Sequence, residues 1–299
     1  MVNFRDILTI LLILGLFIGA TVEISEGITY VGIFLFILLI ILLSRIQIVK
    51  KETKEIKALP SAFYLQLVGI AIILADLGYN LRTNSTLGTL DMMTFLLGVS
   101  LIAQGIKRED IRKMGIFGTY MSATFIVLFL IFFSLFNKLN IDFIHIFDHY
   151  VVLLPTVSFI RLLGIPIEVI GIETINMKGV EDMSVIIGGP CSGLYSMFLL
   201  LSTVVAYTRI EKVKRNGVAL LLGLSIVIAY IANFTRVSLL YIVGYYYGRD
   251  VMMLVHAHLG WMIFVVVVML IFPVIRRFEV GEVKEVGEVS KTKIESAGK

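Results

Sequence analysis

Unbroken apolar runs constrain this chain more than any other feature. They recur along most of its length, each roughly 16–25 residues long, beginning with ILTILLILGLFIGATV at 7–22. A helix of about 20 residues spans a hydrocarbon core of about 30 Å. Within lipid the backbone must satisfy its own hydrogen bonds, as a helix or a closed barrel does. Alternating ten-residue strands of the barrel type are absent. Composition agrees: 58% of residues are hydrophobic and 16% are charged, against about 45–50% and about 25% in soluble domains. The expected fold is an all-α integral membrane protein, a polytopic bundle of about eight transmembrane helices. The spans read as roughly 7–22, 29–44, 63–79, 87–105, 115–136, 191–208, 217–236 and 252–274. The first reads as a retained anchor, because no small-residue cleavage site follows it.

Basic residues fall on alternate loops. Arg45, Lys50, Lys51, Lys54 and Lys57 occupy 45–58, Lys107, Arg108, Arg112 and Lys113 lie at 106–114, and Arg209, Lys212, Lys214 and Arg215 at 209–216. Arg276 and Arg277 follow the last span, whereas the intervening loops are sparsely basic. The positive-inside rule therefore puts both termini and the basic loops in the cytoplasm of a multi-pass plasma-membrane protein. A single domain is expected over 1–278. The charged tail 279–299 lacks a helical stripe and reads as disordered and cytoplasmic.

Three stretches on the external side are not simple spans. NKLNIDFIHIFDHY (137–150) mixes apolar and polar residues as an interfacial segment does. VVLLPTVSFIRLLGI (151–165) is apolar but carries Pro155 and Arg161, which points to a half-buried or re-entrant helix. PIEVIGIETINMKGVEDMSVII (166–187) alternates around Met177–Lys178–Gly179, the pattern of a small external β-hairpin.

Ionisable groups inside spans are costly and mark candidate sites. Cys191, the only cysteine, follows Gly188–Gly189–Pro190 at the start of an apolar run. A thiol at a helix N-terminus has a lowered pKa and is a nucleophile. The alternative is a small buried hydrophobe. Arg236 ends IAYIANFTR, about 29 Å along its helix from Gly217, yet the apolar pattern runs on through 237–248. It is either a functional cation or a residue snorkelling to headgroups. His256 and His258 stand in LVHAHLGW, near the outer end of the last span. At i and i+2 they diverge by about 200°, so only one of them can face a shared pocket. All three positions fall at one outer depth.

Together these groups allow acyl transfer. A thiolate attacks an amide carbonyl, histidine handles the protons, and arginine holds the developing oxyanion. PCSGLYSM (190–197), NFTR (233–236) and HAHLGW (256–261), in this order, resemble the three motifs of the exosortase/archaeosortase family, over roughly 160–275. The resemblance implies a membrane cysteine protease or transpeptidase with a catalytic core at about 160–275. It makes Cys191 the nucleophile, Arg236 the stabiliser of oxyanion or substrate, and His256 the acid/base, with His258 as the alternative. Tyr195 stands where many members carry a basic residue. The implied partners are membrane-tethered proteins ending in a short motif, an apolar helix and a basic tail. They would be cleaved on the external side and released or passed to a lipid or amine acceptor.

Other readings compete. A lipid-modifying acyltransferase could use the same external pocket, and a transporter could use Arg236 and Arg161 to bind anions. Asp76 and Asp91 could form an intramembrane carboxyl pair, pair with Arg82, or cap helix ends. His145 and His149 read as interfacial. One cysteine excludes a CxxC pair and a cysteine-based zinc site. No cofactor, metal or nucleic-acid partner is expected, and metalloprotease, serine-hydrolase, Walker and dinucleotide fingerprints are absent.

Overall fold

The computed structural model describes residues 30–35, 37–38, 61–83, 88–187, 192–210 and 215–276. The expected span 7–22, the tail 279–299 and Cys191 itself lie outside the described residues, and 29–44 is described only in part. The described chain is helical apart from one small sheet. Helices α1 (Ser61–Thr83), α2 (Thr89–Gln104) and α3 (109–138) pack in sequence. Small residues set their spacing. A Cβ on Gly69 would lie 2.5 Å from the Gly98 carbonyl oxygen, and one on Gly118 would lie 2.2 Å from Ser100 Oγ. Such close approach is how membrane helices gain van der Waals contact without help from water. Asp91 caps α2, accepting the Gly88 N–H at 2.6 Å and a bond from Asn80 Nδ2 at 3.3 Å. Asp91 thus caps a helix end, one of its three readings, and its side chain also meets that of Asp76, the carboxyl pair that was another.

Helix α4 (Phe143–Leu162) corrects the reading of two separate pieces at 137–150 and 151–165. It runs without a break and is long and apolar enough to cross a membrane. The physical reason lies in residues 147–153, which form a π-helical turn just before Pro155. A wider turn accommodates a proline that lacks an N–H and crowds the preceding carbonyl. Both ends of α4 nevertheless meet the bundle at one level. Phe143 packs on Phe132 and Phe136, with centroids at 4.8 and 5.5 Å, and Phe132 packs on Phe198 near the start of α5 (Leu194–Ile210). At the other end Phe159 packs on Phe234, beside the residue that holds the start of α5. These contacts fit a helix laid across the end of the bundle.

The expected hairpin is a three-stranded antiparallel sheet, β1 (Ile167–Val169), β2 (Thr174–Lys178) and β3 (Asp182–Ile186), in the order β1-β2-β3. Arg161 is engaged by the protein's own backbone. Its Nε and Nη2 donate to the Ile167 carbonyl at 3.0 and 2.8 Å and tie α4 to β1. The inward face of the sheet, with Ile175 and Met177 fully buried, shares a core with Leu153 and Ile160 of α4 and Tyr241 of the next helix.

That helix, α6 (215–247), continues well past Arg236, in keeping with the apolar pattern through 237–248. Gly248, at φ 82 and ψ 179, breaks it, and α7 (249–276) returns. The turn is fixed by Glu181, which accepts the Arg249 N–H at 3.4 Å. Among the described residues, the stretches Phe63–Thr83, Ile111–Lys138, Phe143–Leu162 and Gly217–Val267 are long and apolar enough to cross a membrane. Two shorter apolar helices, Thr89–Gln104 and Leu194–Ile210, accompany them.

Candidate active site

Helix α5 starts three residues later than the sequence pattern suggests. Gly193 adopts φ +83, outside the helical region, so regular structure begins at Leu194 and the Gly193 carbonyl accepts the Met197 N–H at 2.9 Å. The described helix therefore begins three residues after Cys191 in sequence, with the positive-φ Gly193 before it. A side chain at Gly193 is excluded twice. Positive φ is costly for any residue with a Cβ, and a Cβ there would lie 2.4 Å from Asn233 Cγ.

The crowding partner is the anchor of the turn. Asn233, buried in α6, donates from Nδ2 to the Ser192 carbonyl at 2.8 Å. The residue that follows Cys191 is thus tied to the helix that carries Arg236. Asn233 and Arg236 are three apart on that helix and share a face. The guanidinium in turn lies against α7, where a Cβ on Gly260 would come within 3.2 Å of Arg236 Nη2. His256 precedes Gly260 by four residues and shares its face one turn nearer Gly248, whereas His258 points elsewhere on the helix.

Asn233, Arg236 and Gly260 border a cleft of about 380 Å³, counting the part open to its surroundings; neither His256 nor His258 is among the residues that line it. Ser196 and Leu200 come from α5, Ala229, Ala232, Asn233 and Arg236 from α6, and Gly260, Ile263 and Val267 from α7. Ser196, Asn233 and Arg236 make part of its lining polar and cationic; the rest is apolar. The small side chains of Ala229, Ala232 and Gly260 are what leave the space.

The other candidates lie apart from this cleft. Tyr195 packs on Phe129 and Phe133, with centroids at 5.9 and 5.4 Å, and belongs to an aromatic cluster between α3 and α5. His145 contacts the Glu173 carboxylate, and His149 Nδ1 donates to the Ile172 carbonyl at 2.6 Å. Both tie α4 to the β1–β2 turn. Among the described residues no three His, Cys, Asp or Glu side chains form a cluster able to hold a metal ion. The sequence reading missed Asn233, Gly193 and Gly260. The available signal was the buried amide one turn before Arg236 in NFTR, on a face otherwise lined by alanine.

The fold and cleft define a polytopic membrane protein with a cationic site beside a glycine-bounded turn at one end of its bundle. The transmembrane exosortase family (Exosortase_EpsH) matches residues 22–273. The chain belongs to that family. No curated protein matches it, and no solved structure does.

Proposed function

We propose that this chain is a membrane cysteine protease or transpeptidase that removes C-terminal sorting signals from surface proteins, on the external side. The observation carrying this reading is the bond from Asn233 to the Ser192 carbonyl. Through it the turn after Cys191 is held against the helix bearing Arg236, which itself abuts Gly260 on the histidine helix. Three segments distant in sequence meet at one cleft, and each supplies one part of an acyl-transfer apparatus.

In this mechanism the Cys191 thiolate attacks the carbonyl carbon of the scissile peptide bond. Arg236 holds the resulting oxyanion by charge and hydrogen bonding. His256 protonates the departing amine as the C–N bond breaks, leaving a thioester and a neutral imidazole. That imidazole then takes a proton from water or from an amine acceptor, which attacks the thioester and expels the Cys191 thiolate, restoring the thiolate and the protonated imidazole. Water gives a released protein, whereas a lipid amine gives an anchored one. A membrane-tethered substrate suits a cleft whose lining is largely apolar.

The test is a reporter fused to the C-terminal tail of a surface protein from the same genome, one with a motif, an apolar helix and a basic end. Cys191→Ala and Cys191→Ser should each abolish processing while the protein persists in the membrane. Full processing by Cys191→Ala would end the nucleophile assignment.

A further inference from the structure

The two edge strands of the sheet differ in how their outward backbone groups are used. On β1, the outward carbonyl of Ile167 is taken by Arg161. On β3, the bonds Ile187 N–H to Glu173 and Gly179 N–H to Glu181 fix which residues face β2. Pairing alternates along an antiparallel ladder. Met183 and Val185, in register with Met177 and Ile175, therefore bond to β2. The N–H and carbonyl groups of Ser184 and Ile186 point away from it. Among the described residues no backbone group pairs with them. Both residues are exposed, Ile186 at 68%. An unpaired strand edge is a template for another extended chain, and proteins ordinarily blunt it with bulges, charges or a covering element.

The position of this edge says what the added chain is. β3 starts beside the Gly248 turn, through Glu181, and the chain that leaves its far end is next held at Ser192, by Asn233. Ile187, just past β3, and Ser192, held by Asn233, are five steps apart along the chain, at most about 18 Å when extended. A polypeptide lying on the open edge therefore ends within reach of the turn at Ser192, the residue after Cys191 in sequence. A surface protein arriving from outside with its apolar tail already in the membrane travels in the same direction, N to C, as β3 does.

We propose that the open edge of β3 binds the extended stretch of substrate just before the scissile bond, as a fourth strand parallel to β3. This rests on the function proposed above and adds the substrate subsite to it. Main-chain bonds to Ser184 and Ile186 hold the substrate. Recognition is then largely independent of side chains along this stretch, but it requires free N–H groups at alternate substrate positions.

The experiment uses the full-length enzyme in membranes and the same tail-bearing reporter. Ser184→Pro and Ile186→Pro each remove an N–H that faces away from β2, so the sheet keeps its internal pairing. Each should slow processing about tenfold, the size expected for one or two lost main-chain bonds. Alkylation of Cys191 by a maleimide should be unchanged, which reports an intact site. The second arm keeps the wild-type enzyme and moves a single proline through the reporter upstream of the cleaved bond. Processing should drop at every second position. Wild-type rates in both proline variants, or a proline scan without alternation, would overturn the edge subsite. Should Cys191→Ala be inactive while Ser184→Pro is fully active, only the subsite falls. If Cys191→Ala still processes the reporter, the enzymatic reading falls instead.

Discussion

The cleft depends on two glycines whose missing side chains make room for Asn233 and Arg236. Gly193→Ala adds a Cβ at a positive φ, 2.4 Å from Asn233 Cγ. Backbone strain alone costs about 1–3 kcal/mol, so thermal unfolding in detergent should show a clear loss of stability. Because the clash is with Asn233, the double variant Gly193→Ala/Asn233→Ala should lose less than the sum of the single losses. Additive losses would mean that strain alone sets the cost. Asn233→Ala by itself removes one bond of about 1 kcal/mol and releases the Ser192 carbonyl. Reporter processing should fall by more than the stability loss accounts for, since the turn beside Cys191 is no longer held. Gly260→Val puts a branched side chain against the guanidinium. A displacement on the order of 1 Å at a reacting group costs about a hundredfold in rate, and processing should drop on that scale while the unfolding temperature changes little.

At the scale of elements, the sheet and the tip of the α6–α7 hairpin hold each other. The Val180 N–H donates to the Tyr245 carbonyl at 3.0 Å, and a Cβ on Gly179 would come within 2.3 Å of that same oxygen. Gly179→Val should prise the β2–β3 turn from α6, and limited trypsin digestion should then cut faster at Lys178. An unchanged cutting rate would show that the turn holds without this contact. The His145–Glu173 and His149–Ile172 contacts fasten the opposite turn of the sheet to α4. The first pair is largely exposed on the histidine side, so Glu173→Gln should cost no more than about 1 kcal/mol in a denaturation experiment. Together these fastenings orient β3, and through Ile187 they orient the segment that leads to Cys191.

For the whole molecule, the charge pattern and the position of the sheet make one prediction about sidedness. A membrane-impermeant maleimide applied to intact cells should label Cys191; labelling that requires permeabilisation would reverse the topology. Much of this architecture was legible in the sequence. Apolar run length dictates helices because lipid leaves the backbone no other partner, and alternation at 166–187 gave away the strands. The continuity of α4 was hidden, since Pro155 reads as a break unless a π turn forms beside it. The late start of α5 was hidden as well, because a proline and two glycines before Cys191 drew attention from Gly193. Sequence by itself determined which residue types could carry reactive chemistry and gave the expectation that they lie near one depth, both resting on residue type and helix rise. Only the tertiary structure decided that Asn233 anchors the turn after Cys191, that Gly260 seats Arg236, and that β3 keeps an open edge. Those are contacts between segments tens of residues apart, and local pattern carries no information about distances across helices.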